Sequence, residues 1–275
     1  LWSVDPGLLD RRLEGGSVRG PVSVSEGVVV VPVRRVSAVR RISGTLLAGL
    51  DLWSGELRWV RPLASMGVQP FSRSPRGAER QSLHEGVIYR VDSMGVAAAV
   101  HAASGRVAWV RRLPPATETR GLVTLAMQAW SPAWSLAEPL LDGDSLIAIA
   151  PDSGSIVRLS LASGEVLARR SITDMGDFAG LPQYLLRAGD RLIVAGTDRL
   201  ASMALSGFES AEVSVSAELR EPRMTGRVLA AQGRLIVPLE NAVAELDAVT
   251  LATQKTHEMT VSGVVLPLAD SALVM

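Results

Sequence analysis

The chain has 275 residues, 47% of them hydrophobic and 20% charged, with 28 basic residues set against 28 acidic ones. A formal charge of zero excludes a whole-molecule field that would attract nucleic acid or an anionic membrane. Without cysteine there is no disulfide or thiolate metal site, and no apolar run approaches the about 20 residues of a membrane helix.

In chain order, Leu1–Val4 reads as the last strand of a preceding unit and Asp5–Arg19 as a linker, so that residues 1–19 stand apart from the repeated units. Glu26-Gly27 then launches the apolar run Val28–Val33, and Ser54-Gly55 turns the chain again after a strand at Thr45–Asp51. The pairing of a launching turn with a second turn recurs at Glu85-Gly86 and Ser104-Gly105, Gly143-Asp144 and Ser163-Gly164, Gly189-Asp190 and Ser206-Gly207, and Gln232-Gly233 with the worn copy Thr250-Leu251. This divides the chain into five units, at about 20–63, 81–113, 138–172, 183–219 and 227–259, with part of a sixth at 263–275. Leu122–Ala129 offers one short helical turn. Residue 1 is Leu and Asp270–Met275 reads as the opening of another strand, so the expectation is a piece of a longer protein.

Recurrence at this length is the mark of a propeller or solenoid. The runs Val28–Val31, Leu146–Ala150, Leu192–Ala195 and Leu235–Val237 barely alternate, which means that both of their faces are covered. Blades stacked face to face supply that double burial. The predicted fold is therefore an all-β propeller of four-stranded antiparallel blades, A to D, seen as an incomplete ring of five blades and part of another.

Asp51-Leu-Trp-Ser-Gly-Glu-Leu-Arg-Trp59 fits the pattern Asp-x-x-Ser/Thr-Gly-x-x-x-Trp, and His101–Trp109 fits it except at its first position. This resembles the repeat of the pyrroloquinoline-quinone-like (PQQ-like) β-propellers, which include quinoprotein alcohol dehydrogenases and the BamB-type scaffold of outer-membrane assembly. Asp51, Ser54, Gly55, Trp59, Ser104, Gly105, Trp109, Ser163 and Gly164 are its structural residues here. Glycine takes the positive φ of the turn, Ser or Thr bonds its backbone, and the tryptophan packs on the neighbouring blade. Ala168 and Lys255 stand where later units would carry tryptophan.

The resemblance implies either a scaffold or an enzyme. A PQQ dehydrogenase needs an aspartate base and calcium-ligating Glu and Asn, and Glu240-Asn241 reads instead as a turn. Asp142-Gly143-Asp144 with Asp152 reads as a hairpin turn rather than a calcium loop. His84, His101 and His257 fall at equivalent turn or strand-end positions of different units, without ligand spacing.

Three insertions interrupt the repeat: Arg34–Gly44 between strands B and C, and Ala64–Arg80 and Pro114–Ala137 between blades. Topology sends all three to one rim. They bring Arg34, Arg35, Arg40, Arg41, Arg73, Arg76 and Arg80, together with Met127, Trp130 and Trp134. Arg with Trp is the composition of interaction hot spots. The expectation is a non-catalytic scaffold that binds a protein partner at this rim, or the sensor part of a larger multidomain protein. No nucleic acid, cofactor or transmembrane segment belongs to that reading. A PQQ-dependent alcohol or sugar dehydrogenase, with PQQ and calcium, is the alternative, and a carbohydrate- or small-ligand-binding propeller is the second. A periplasmic or cell-envelope location is implied by the resemblance alone.

Overall fold

The computed structural model describes residues 2–37, 42–67, 80–92, 94–113, 138–150, 155–175, 184–196, 198–215, 219, 224–259, 265–268 and 271–274. Among them, consecutive stretches of chain form separate antiparallel sheets. The first holds β1 (Gly16–Val18), β2 (Ser23–Ser25), β3 (Val28–Ser37), β4 (Ile42–Asp51) and β5 (Leu57–Gly67). β6 (Arg80–His84) to β9 (Val107–Arg112), with β7 (Val87–Val91) and β8 (Val96–His101), make the second. The third runs through β10 (Leu140–Asp142), β11 (Ser145–Ala150), β12 (Ser155–Ser160) and β13 (Val166–Ser171). The fourth is β14 (Tyr184–Ala188), β15 (Arg191–Ala195), β16 (Leu200–Ala204) and β17 (Val213–Val215). The fifth is β18 (Leu229–Ala231), β19 (Arg234–Pro238), β20 (Ala242–Asp247) and β21 (Thr253–Glu258), and β22 (Val265–Leu268) pairs with β23 (Ser271–Val274).

Every launching dipeptide is a two-residue hairpin, as the pairs Ser25↔Val28, His84↔Val87, Asp142↔Ser145, Ala188↔Arg191 and Ala231↔Arg234 require. Each B strand then feeds two cores. Val28 and Val30 pack towards the second sheet while Val29 and Val31 pack the other way. Ile193 and Ala195 likewise join the cluster shared with the fifth sheet, and Leu192 and Val194 the cluster shared with the third. Apolar clusters thus lie between consecutive sheets, which is the physical meaning of runs that do not alternate.

The seams repeat one hydrogen bond. Leu52, Ala102, Leu161, Leu205 and Ala248 occupy one position, each donating its N–H to the A–B turn of its own blade. Their carbonyls face the preceding element. Trp59 Nε1 donates to Ala102 at 3.0 Å and Trp109 Nε1 to Leu161 at 2.8 Å. Trp2 Nε1 does the same to Leu52 at 2.9 Å. In the later seams Arg158 Nη1 (3.4 Å) and Ser202 Oγ (2.5 Å) take over as donors to Leu205 and Ala248.

The amino-terminal segment departs from expectation. Residues 2–5 belong to no strand, a short helix α1 (Pro6–Leu9) comes next, and Gly16–Val18 joins the first sheet beside β3. Leu13, fully buried, and the partly buried Trp2 and Leu9 cover the face formed by Val29, Val31, Val33, Leu46 and Leu50. A blade face left bare would expose a continuous apolar patch, so this segment caps it. Ile172–Met175 adds a short 3-10 turn, whereas the helical turn expected at Leu122–Ala129 lies outside the described residues.

Candidate partner-binding face

The described residues of the predicted B–C insertion, 34–37 and 42–44, are strand rather than loop. β3 and β4 continue past the level of the other blades and pair without interruption from Val28↔Asp51 to Ser37↔Ile42. β5 runs alongside to Gly67, beside Ile42. Valine-rich sequence and a partner of matching length outweigh the two arginines that suggested a break. Arg34 and Arg35 accordingly sit in a strand: Arg34 is 4% exposed and Arg35 is half-buried. Arg80 opens β6, but its side chain lies outside the described residues. Arg40, Arg41, Arg73, Arg76, Met127, Trp130 and Trp134 also lie outside them.

The extended part of the first blade forms a wall. On the side facing the second blade, cross-strand pairing aligns Arg34 with Thr45, Val36 with Ser43, and Ser43 with Met66. At its base the wall is polar and dry. Arg34 Nε donates to Ser43 Oγ at 3.1 Å, and Thr45 Oγ1 donates to Asp92 Oδ2 at 2.7 Å across the seam. Asp92 Oδ1 accepts the N–H groups of Met94 and Val96, both at 2.9 Å, which folds the B–C connection of the second blade into a tight turn. Gln81 Nε2 bridges the same seam to Ser23 Oγ and the carbonyl of Val30. Burial pushes the Arg34 guanidinium down, helped by the charge of Arg19 and opposed by Asp92; it lowers Arg90 to about 10, again opposed by Asp92. Both remain cations at neutral pH.

Above this base the wall turns apolar. Val36 and Met66 are each 46% exposed on this face, and Ile42, 41% exposed, lies on the reverse face. At the same end β9 finishes in exposed Arg111 and Arg112: Arg112 pairs with Val96 on the face turned to the first sheet, and Arg111 pairs with Ala97 on the face turned to the third. Sequence reasoning missed Val36, Ile42 and Met66 because it placed them in loops, where an apolar residue carries no directional information.

The remaining constellations resolve as structure. Asp142 is ion-paired to Arg158 and, at 3.2 Å, to Arg187, while Asp152 lies outside the described residues. Asn241 and Glu240 form the exposed tight turn between β19 and β20. The histidines are not equivalent: His84 ends an A strand, His101 ends a C strand against Arg106, and His257 lies within a D strand, 2.8 Å from Glu245. Among the described residues no group of three or more His, Asp or Glu could hold a metal ion, and no helix is long and apolar enough to cross a membrane. Calcium wants six to eight oxygens, and neither the exposed Glu240-Asn241 turn nor the ion-paired Asp142 gathers such a set.

No protein-family model matches the chain, and no curated protein matches it. Solved structures do. BamB from Moraxella catarrhalis aligns at 17% identity with a TM-score of 0.56, over 88% of this chain and 65% of that one. Quinohemoprotein alcohol dehydrogenase from Comamonas testosteroni aligns at 11% and 0.55, over 94% and 46%. The fold is that of the PQQ-like repeat β-propellers. A europium-containing methanol dehydrogenase shares this propeller at 11% and 0.50, over 88% and 52%. The chain thus spans between 46% and 65% of the length of these matched chains. As the resemblance implies, Trp59 and Trp109 each bond the next blade, and Gly55, Gly105, Gly164 and Gly207 of the C–D turns adopt positive φ.

Proposed function

We propose that the chain is a non-catalytic propeller platform that binds a partner protein through the end of its first blades, where the B–C hairpins and the D–A connections emerge. The observation that carries this reading is the wall of the first blade, in which exposed Val36 and Met66 stand on the face of a paired sheet turned to the second blade, whose β9 ends in the exposed Arg112. Apolar side chains held in place by a paired ladder lose little conformational entropy on docking, and Arg is favoured at such surfaces. The basic stretch Arg34–Arg41 and the aromatics Trp130 and Trp134 belong to the same reading. A cell-envelope location goes with it, as does service as the sensor part of a larger protein.

Replacing Arg35, Arg40 and Arg41 with Ser, and recovering partners by affinity purification, tests the platform. Loss of a recovered partner is expected, and unchanged recovery overturns the reading. Incubation with PQQ and Ca²⁺ followed by dye-linked oxidation of simple alcohols is the companion measurement, and turnover there would replace the platform with an enzyme.

A further inference from the structure

We infer that the opposite end of the blades, built of the A–B and C–D turns, is a second interaction surface, and that it takes a basic, extended segment of a partner protein. It lies away from the proposed platform and does not depend on it. Four consecutive launching hairpins each carry a carboxylate beside their glycine: Glu26, Glu85, Asp144 and Asp190. The C–D turns of the first and third blades add Glu56 and Glu165. All six residues are exposed. Each of these turns is described from strand to strand, and the connections outside the described residues, from 38–41 to 260–264, start and finish at the other end of the blades.

The charge of this end is not neutralised from within. Of the arginines that reach it, Arg58 is paired with Asp51, Arg187 with Asp142 and Arg234 with Glu245, while the half-buried Arg61 and Arg191 bond Gly105 and Ser202. Arg106, set against His101, is the basic residue of the turns themselves. Among the described residues Glu26, Glu56, Asp144, Glu165 and Asp190 have no ion-pair partner, and Glu85 has His84 at 3.9 Å. The Glu26 carboxylate reaches the turn that carries Glu85, since a Cβ on Gly86 would lie 2.6 Å from its Oε1. Like charges gathered in this way repel, and a cationic occupant removes that cost. Among the described residues no three acidic or histidine groups converge to hold a metal ion, so the occupant must spread its charge. Packed sheets stand about 10 Å apart, and three residues of an extended chain cover about the same length. A segment with a cation at every third residue therefore meets one carboxylate per blade.

Trp53 gives this surface an anchor. It is 83% exposed in the C–D turn that carries Glu56, and the Leu52 N–H ties that turn to Gly27, next to Glu26. An indole beside carboxylates receives a Lys or Arg side chain on its π face, and Trp is favoured at protein interfaces. An anionic membrane or a nucleic acid is repelled from the same surface.

The probe is a fluorescein-labelled twelve-residue peptide with Lys at every third position and Ser between, titrated with the full chain at about 50 mM salt and followed by fluorescence anisotropy. Binding is expected, with affinity falling about tenfold in Glu26→Gln/Glu85→Gln and about tenfold in Trp53→Ala. Gln232 holds the same turn position in the fifth blade at φ 48°, against 49° for Glu26 and 47° for Glu85, so the paired substitution keeps the hairpins. Unchanged urea midpoints show that the variants fold. Glu240→Gln/Glu258→Gln removes the same charge from exposed positions at the other end and should leave the affinity as it is. Equal losses in the two paired variants, undiminished binding by Trp53→Ala, tighter binding of the matching Glu peptide, or no binding of the Lys peptide overturns the inference.

Discussion

Leu251 shows how one residue answers to two demands. Gly55, Gly105, Gly164 and Gly207 close their C–D turns with φ between 65° and 74°, and Leu251 closes the fifth at 59°. In the first three turns an indole covers the glycine: a Cβ would lie 2.7 Å from Trp2, 2.5 Å from Trp59 and 2.5 Å from Trp109. The fifth turn faces Ser202 instead, which leaves room for a side chain. A left-handed non-glycine residue costs about 1–2 kcal/mol, whereas burying a leucine contributes about 1.5–3 kcal/mol, with a further loss if a cavity is left. Burial wins. Leu251→Gly should therefore lower stability in urea unfolding by about 1 kcal/mol or more, and a gain would show that backbone strain dominates. Gly105→Val has no such compensation and should lose more than about 3 kcal/mol through both strain and the displaced indole.

The turn aspartates set the response to acid. Backbone N–H groups of Ser54 and Trp53, then Arg58, hold the Asp51 carboxyl at about 2. Thr250 lowers Asp247, and His257 and then Arg234 lower Glu245. Folded values lie below the unfolded values of about 4, so their stabilisation is complete above about pH 4 and is lost as pH falls towards 2. Unfolding followed by circular dichroism should begin below about pH 4, and Asp51→Asn should flatten that dependence. An onset near neutral pH would contradict this account.

At the level of elements, the seam bond persists while its donor migrates. Gly49 lies beneath Trp59, since a Cβ there would sit 2.2 Å from the indole, and Ala99 pairs with Trp109. Where strand D lacks tryptophan, the facing residue of strand C becomes the donor: Arg158 opposite Ala168, and Ser202 opposite Ser214. Phe208 then joins the buried cluster of that seam, its ring under Arg158 at 5.7 Å, with Ala168 packed against the same cluster. Ser202→Ala should cost about 1–3 kcal/mol by leaving the Ala248 carbonyl without its donor, against about 3–5 kcal/mol for Trp59→Ala; urea unfolding of both distinguishes them. The tryptophan form was legible because glycine, serine and tryptophan recur at fixed offsets. Arg158 and Ser202 were not, because no local pattern records a bond to a carbonyl in the next blade. The same limit hid the wall. Arg34 looks like a break in an apolar run until Ser43, Thr45 and Asp92 are known to share its face of the seam. Paired turns and doubly apolar runs made the blades readable, whereas the proposed binding face depends on which strand outlasts its neighbours.

Across the whole molecule the seams are unequal, and their order predicts where the arc opens. Among the described residues, the cluster between the first and second sheets holds seven buried apolar residues, and that between the fourth and fifth holds fifteen. The first seam also buries Arg34, Ser43, Thr45, Gln81, Arg90 and Asp92. Buried charges and hydroxyls have surrendered hydration and recover little net free energy even when well paired, whereas aliphatic burial adds with area. Trp59 is the largest apolar side chain of that seam, so it carries more of the first interface than Leu246 or Val237 carries of the last. Repeat proteins open at their weakest nearest-neighbour interface. Hydrogen exchange should therefore show β3–β5 and residues 2–13 opening at lower free energy than β14–β16 and β18–β20. Trp59→Ala should deepen that difference, stripping protection from the first blade and its cap while β18–β20 keep theirs. A uniform loss across all five sheets would mean that the blades unfold as one unit. The wall would then owe its order to global stability rather than to the indole beneath it.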